Sequence, residues 1–349
     1  MSFLKEIKDI SLQLNKVWKR DEKAAMLMIT EVKGSSYRKP GTKILISSDG
    51  QISGSLSGGC LESDLAEWTK IAIEQNKAMT KSYNLSENDL WGLGIGCKGS
   101  LEVLILPIER ESLFWNRINE EACKNQIIRL VFDTFSGEGW LLNAQNEVLA
   151  QNGENIPIDL LNGISKHDKK FAHVIQTGSK RFVIDTNFPL EKIVVCGAGH
   201  DAVPVVDLAL KANFDVTVLD PRTQFNHESR FPGVNHMIAE SDMMDGLPEL
   251  HDSYWIIMNH HMERDREALQ LALQCNPKYV GLLGPIKRSD ELLGSVGYVY
   301  SDKMIYSPVG LDLGAETIEE VAISIISELL AVRNEKTSGH LKGKKKIHA

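Results

Sequence analysis

The stretch GSLSGGCLESDLAEW, Gly54 to Trp68, carries a cysteine from a pair of glycines onto the start of a helical pattern. A thiol placed there meets the backbone N–H groups and the positive end of a helix dipole. Both favour the thiolate, the form that attacks electrophiles and binds soft metals. Ser57, Gly58 and Gly59 put no bulky side chain over the loop, so their amides are read as an anion-binding nest. Cys97 recurs in similar surroundings, among Gly94, Gly96 and Gly99. A third loop, VKGSSYRKPGTK, adds Ser35, Ser36, Arg38 and Lys43, which suit an anionic group. Burial in a core is the alternative for any cysteine, and Cys196 in IVVCG fits it best; Cys123 and Cys275 are read as structural.

A second constellation begins at Gly197. Gly197-Ala198-Gly199-His200-Asp201-Ala202 matches the dinucleotide-binding fingerprint with alanine in its third position. The first glycine permits the tight turn, the second lets backbone approach a pyrophosphate, and Ala202 allows close packing of the helix. Asp220 ends the next strand at about the expected twenty-residue distance, with Arg222 just beyond it. His200 and Asp201 are bulky and polar for such a loop, which favours a repurposed crevice over a strict dinucleotide site. Other strand ends would line the same crevice, including Asn259, His260 and His261, then Lys287 and Arg288. His260 is close enough in sequence to Asp265 for a hydrogen bond. Two adjacent histidines and one aspartate are too few ligands to name a metal site.

These residues need elements to position them. Leu4, Ile7, Ile10, Leu14, Val17 and Trp18 recur at helical spacing, predicting a helix over residues 3–20. AAMLMITEV reads as a buried strand, and GTKILISSDGQISGSL as a hairpin with a type I′ turn at Asp49-Gly50. A helix is expected from Glu62 to Gln75, then the glycine loop holding Cys97, then the strand LEVLILPI. Residues 111–185 read as a meander with a short helix near NIPIDLLNGI. From Lys192 onward strands and helices alternate, as in a doubly wound parallel sheet. Thr317 and Glu320 have capping-box spacing at the start of TIEEVAISIISELLAVR. The fold expected is α/β: an N-terminal α+β domain (1–185) followed by a Rossmann-like parallel-sheet domain (190–335). A basic tail (336–349) lacks apolar periodicity and is expected to be disordered.

The chain has 349 residues, of which 42% are hydrophobic and 25% charged, with a net charge of −8. That balance offers no bulk electrostatic footprint for nucleic acid or an anionic membrane surface. No apolar run is long enough to span a bilayer, and MSFLKEIKDI lacks the basic flank and apolar centre of a secretory signal. A cytoplasmic location with reduced thiols is expected.

GSSYRKPGTKILIS, GSLSGGCLESDL and GIGCKGSLEVLILP resemble the N-terminal domain of the xanthine dehydrogenase accessory protein family, the XdhC/CoxI type. VVCGAGHDAVPVVDLA, VTVLDPR, RFPG, YVGLLGPIKR and PVGLDLGAETIEEVAISIISELLA resemble its C-terminal Rossmann domain. The resemblance implies an accessory factor more than a turnover enzyme. It would bind molybdenum cofactor (molybdopterin), promote its sulfuration, and deliver it to an apo molybdenum hydroxylase of the xanthine dehydrogenase type. A cysteine desulfurase as sulfur source and a homodimeric state are further expectations. On this reading Cys60 is the metal-facing thiol, with Cys97 and His260 as further reactive groups. Ser35, Arg38, Gly58, Gly59, Gly197, Gly199, His200, Asp220 and Arg222 contact cofactor. The family's Thr-His pair is here Asn259-His260, and Pro285 stands where the family often has serine. The second reading is an NAD(P)-dependent oxidoreductase built on the same fingerprint.

Overall fold

The computed structural model describes residues 2–34, 38–59, 61–84, 99–110, 112–166, 171–244, 247–298 and 303–343. They form two compact units, Met1–Pro189 and Leu190–Ala349. The first unit opens with β1 (Ser2–Phe3), α1 (Leu4–Lys19), β2 (Ala24–Gly34), β3 (Lys43–Ser47), β4 (Ile52–Ser53), α2 (Glu62–Gln75), β5 (Met79–Asn84) and β6 (Gly99–Ile108). It continues with α3 (Leu113–Cys123), β7 (Ile128–Asp133), β8 (Gly139–Asn143), β9 (Val148–Asn152), α4 (Ile158–Lys166), β10 (His173–Thr177) and β11 (Lys180–Phe188). One antiparallel sheet has the order β4-β3-β2-β6-β5; the other runs β1-β11-β7-β8-β9, with β10 also on β11.

β2 explains the layering. Met26 and Met28 face a core shared with α1, α3 and β7, whereas Ala25, Leu27 and Ile29 face α2. A strand covered on both faces reads as a continuous apolar run, as AAMLMI does. Helices α1 and α3 therefore lie between the two sheets, and α4 covers the far face of the second against Val131, Trp140 and Phe182. The meander and α4 match the reading of residues 111–185, and α3 is an addition to it. Its apolar positions Phe114, Ile118 and Ala122 are separated by charged and polar residues, so its buried stripe is narrow.

Two local expectations are corrected. The hairpin turn is not type I′, which needs positive φ at both central residues. Only Gly50 has positive φ (84°), and its N–H donates to Ser47 O at 2.9 Å. Asp49 accepts the Gln51 N–H and the Ser47 hydroxyl, holding a longer loop that glycine closes. Lys43, expected to face an anionic ligand, is buried inside the unit. Its Nζ lies 2.7 Å from Asp185 Oδ2 and donates to Gly41 O and Asn187 Oδ1 at 2.9 and 3.1 Å. Asp185 also accepts from the Ser2 hydroxyl (2.6 Å) and Asn187 Nδ2 (2.8 Å), which joins β1, β3 and β11.

The second unit comprises β12 (Glu191–Cys196), α5 (Ala202–Lys211), β13 (Phe214–Leu219), β14 (Asn235–Met237), β15 (Tyr254–Ile257), α6 (Met262–Gln274), β16 (Tyr279–Leu282), α7 (Ile286–Ser295), β17 (Ile305–Tyr306) and α8 (Ile318–Arg333). Its sheet is parallel throughout, in the order β14-β13-β12-β15-β16-β17. α5 and α8 cover one face, while α6 and α7 cover the other. This is the doubly wound Rossmann arrangement, with the order reversing beside β12. The Thr317–Glu320 capping box forms as the spacing predicts. No helix among the described residues is long and apolar enough to cross a membrane.

Replacing Asp185 with alanine would take the nearer carboxylate from the buried Lys43 ammonium and leave it Glu6 Oε2 alone, at 3.6 Å. Asp185→Ala is expected to cost about 3–5 kcal/mol in urea unfolding, and the double variant Lys43→Met/Asp185→Leu markedly less.

Candidate functional site

The turn after β12 is set by close backbone packing. Gly197 has φ +110°, and a Cβ there would stand 2.7 Å from Met258 O and 3.0 Å from Asn259 Cα. The end of β15 thus passes directly beneath the loop, and glycine alone fits. Ala198 donates its N–H to Asp220 Oδ2 at 2.8 Å, tying the loop to the end of β13. Arg222 closes on the same carboxylate, with Nη2 to Oδ2 at 2.6 Å and Nε and N to Oδ1 at 2.9 Å each. Burial pushes the Asp220 carboxyl up, but the Arg222 donors and the Ala198 amide outweigh it and hold it below the ordinary carboxylate range. Its side chain has no exposed surface, so as folded Asp220 and Arg222 serve the loop.

Arg230, in the RFPG stretch, is a site residue that the motif reading does not single out. It donates from Nη2 to Gly199 O at 3.0 Å and lies against the Phe225 and Phe231 rings. Its Nε is buried without a hydrogen-bond partner, and it makes no ion pair among the described residues. An arginine beside a glycine loop in RFPG is the available signal. His200 is exposed at the loop's outer turn.

The expected His260–Asp265 bond does not form. His260 Nε2 pairs with Asp201 Oδ2 at 2.6 Å, beside the glycine loop. Asp265 instead accepts the Asn259 N–H and Nδ2 at 3.0 Å each on Oδ1, and pairs through Oδ2 with Arg288 at 2.7 Å. Asn259, the departure from the Thr-His pattern, thus anchors the β15 end to α6. Arg288 is likewise committed within the chain.

In the first unit Glu62 occupies the nest expected for an external anion. Its carboxylate accepts N–H groups from Leu56 and Ser57 (2.9 Å each), Gly59 (3.1 Å) and Leu61 (3.2 Å), together with the hydroxyls of Ser55 (3.1 Å) and Ser57. Gly58 N–H donates to Ser55 Oγ at 3.0 Å. The Gly58 and Gly59 amides are therefore satisfied internally. Burial raises the Glu62 carboxyl, but the Ser57 hydroxyl and the loop amides overcome it and bring the pKa to about 2. A glutamate at the first helical residue after a serine–glycine loop is the sequence signal for such a reversed cap. The helix opens at Glu62, so Cys60 precedes it rather than lying in its first turn.

Described residues that flank the Ser35, Cys60 and Cys97 segments in sequence come together at one end of this sheet. Gly34, before the Ser35 loop, is the register partner of Gly99, after the Cys97 loop. Asn84, where the chain enters that latter loop, pairs with Ser100. Tyr83 donates to Asp64 at 2.6 Å, which brings the start of α2 to the same end. Ser35, Cys60 and Cys97 themselves lie outside the described residues. Arg38 is exposed, and its charge acts on Glu6 of α1. Among the described residues no three His, Cys, Asp or Glu side chains group as a metal site. Cys196 is buried, with its thiol pushed well up by burial and by Asp265 and Asp220. Cys275 is buried too, whereas Cys123, read as structural, is exposed at the end of α3.

Residues 193–329 match the model of the XdhC Rossmann domain, and residues 17–84 that of the XdhC and CoxI family. The chain belongs to the XdhC and CoxI family. A probable xanthine dehydrogenase subunit of Bacillus subtilis is 29% identical over 89% of this chain and 94% of its own. An uncharacterized Escherichia coli protein, YqeB, is 30% identical over 42% of this chain but only 28% of its own length. The crystal structure of a xanthine dehydrogenase from Bacillus halodurans superposes with a TM-score of 0.77 at 29% identity, covering 97% of both chains.

Two outcomes follow for this family member. Gly197→Ala meets backbone in a left-handed conformation and is expected to destabilise the protein by about 2–4 kcal/mol in thermal unfolding, with Gly199→Ala costing under about 1 kcal/mol. Glu62→Gln is expected to cost about 1–3 kcal/mol at neutral pH, read by urea unfolding and by faster exchange of the Leu56, Ser57, Gly59 and Leu61 amides. Because the folded pKa of about 2 lies below the ordinary 4.5, the stabilisation is complete above pH 4.5. It fades as pH falls toward 2, so the variant and wild type should converge there.

Proposed function

We propose that this protein is an accessory factor of a xanthine dehydrogenase-type molybdenum hydroxylase, and that its cargo is molybdenum cofactor, held for sulfuration or for insertion into the apoenzyme. The names carried by the Bacillus relatives support the link to xanthine dehydrogenase. The observation that carries the cargo reading is Arg230. It is a cation without an ion pair among the described residues, and its buried Nε is unpartnered beside the glycine loop. Molybdenum cofactor is a pterin dithiolene bearing a phosphate or a nucleotide. The loop amides at the α5 N-terminus and Arg230 fit its anionic end. Sulfuration calls for a thiolate toward the soft metal, the role that the family resemblance gives Cys60.

Hydride transfer is less well supported. An NAD-type ribose is ordinarily anchored by the acid ending the second strand. Here that acid is Asp220, which is wholly buried and saturated by Arg222 and Ala198.

The test is binding and transfer with the full chain. Cofactor released from a molybdenum enzyme should form a stoichiometric adduct seen by native mass spectrometry. The adduct should raise the activity recovered by apo-xanthine dehydrogenase. Arg230→Gln should weaken cofactor binding about 10–100-fold, the range for losing a charge-assisted bond. A chain that neither binds the cofactor nor raises the recovered activity would sink the proposal.

A further inference from the structure

Asp201 stands at the N-cap of α5, where a short acidic side chain ordinarily accepts an N–H of the first turn. It makes no such bond. Its Oδ2 reaches instead to His260 Nε2, 2.6 Å away and 59 residues along the chain. Its Oδ1 fills the space that a Cβ on Gly199 would take. That is the space a glycine leaves in this motif so that a phosphate can approach the backbone. His260 holds φ +57°, a left-handed conformation that is strained for a residue with a side chain. The pair is also open to water, with His260 62% exposed. An exposed pair adds little to stability. Stability therefore does not account for a strained histidine that draws a capping carboxylate over the loop.

We propose that the Asp201–His260 pair is a latch on the glycine loop. The Asp201 carboxylate stands where the phosphate of a ligand would stand, and it must swing aside before that phosphate reaches the loop amides. While latched, its negative charge opposes phosphate entry and partly cancels the attraction of Arg230. The latch makes the loop a gated site rather than a permanently open one. A ligand with further contacts elsewhere can open it, whereas a bare diphosphate opens it poorly. This inference rests on the reading of the crevice as a phosphate site.

Calorimetry with ADP as probe tests it on the full chain. Asp201→Ala removes both the charge and the obstruction, and is expected to tighten ADP binding by at least about tenfold. Asp201→Asn is nearly isosteric and keeps a partner for His260, so a smaller gain is expected. Neither variant loses a capping bond, and melting temperatures should stay close to wild type. If wild type binds ADP and Asp201→Ala binds it equally or more weakly, the latch is refuted while the phosphate site stands. If neither wild type nor variants bind ADP at millimolar concentration, the latch and the phosphate reading of the crevice both fall.

Discussion

The bond from the Ala198 N–H to the buried Asp220 carboxylate is the constraint on which the second unit's crevice depends. It fastens the turn after β12 to the end of β13, the adjacent strand. With the turn fixed there, Gly197 is pressed onto the end of β15, and α5 begins a few residues on, at Ala202. Arg222 makes the arrangement durable by neutralising the carboxylate, since a buried unpaired charge would be costly. A site residue in sequence terms thus acts as a structural one, and Arg230 is left beside the loop without an ion pair among the described residues.

Much of this architecture is legible in the sequence because it is encoded locally. The strand–loop–helix–strand run from Lys192 to Asp220 combines apolar strands, a glycine spacing and an acid at a fixed distance, and each feature reinforces the others. The capping box of α8 is likewise spelled out within four residues. Side-chain partners are less legible. Asp265 is the near neighbour of His260 in sequence, but the actual partner, Asp201, is 59 residues away. Ser2 meets Asp185 across 183 residues, and Lys43 joins them, so a lysine in a polar loop becomes a core cation. Periodicity cannot report such contacts, because they are chosen by how the strands stack.

The turn at Ser47–Gly50 and helix α3 show two other limits. Asp-Gly signals a hairpin but leaves the turn type open. Here the Asp49 carboxylate accepts the Gln51 N–H, so the loop closes with glycine alone in the left-handed region. In α3 the apolar positions are diluted by Asn116, Arg117, Asn119, Glu120 and Glu121, yet packing against Phe132 still selects a helix. Tertiary burial decides where local pattern is weak.

Two glycine loops, one in each unit, are covered by the chain's own carboxylates, and the difference between them bears on function. Glu62 gathers several amides and hydroxyls, is almost wholly buried, and titrates near 2. Displacing it would strand those donors together, so it is a permanent part of its loop. Asp201 has a single partner of its kind, His260, in an exposed pair, and makes no capping bond. Moving it leaves no buried donor unsatisfied. By the same physical measure, the number of donors left behind, the first carboxylate is fixed in its loop and the second is the cheaper to move. The first unit's loop is built to hold the backbone on either side of Cys60 in one conformation.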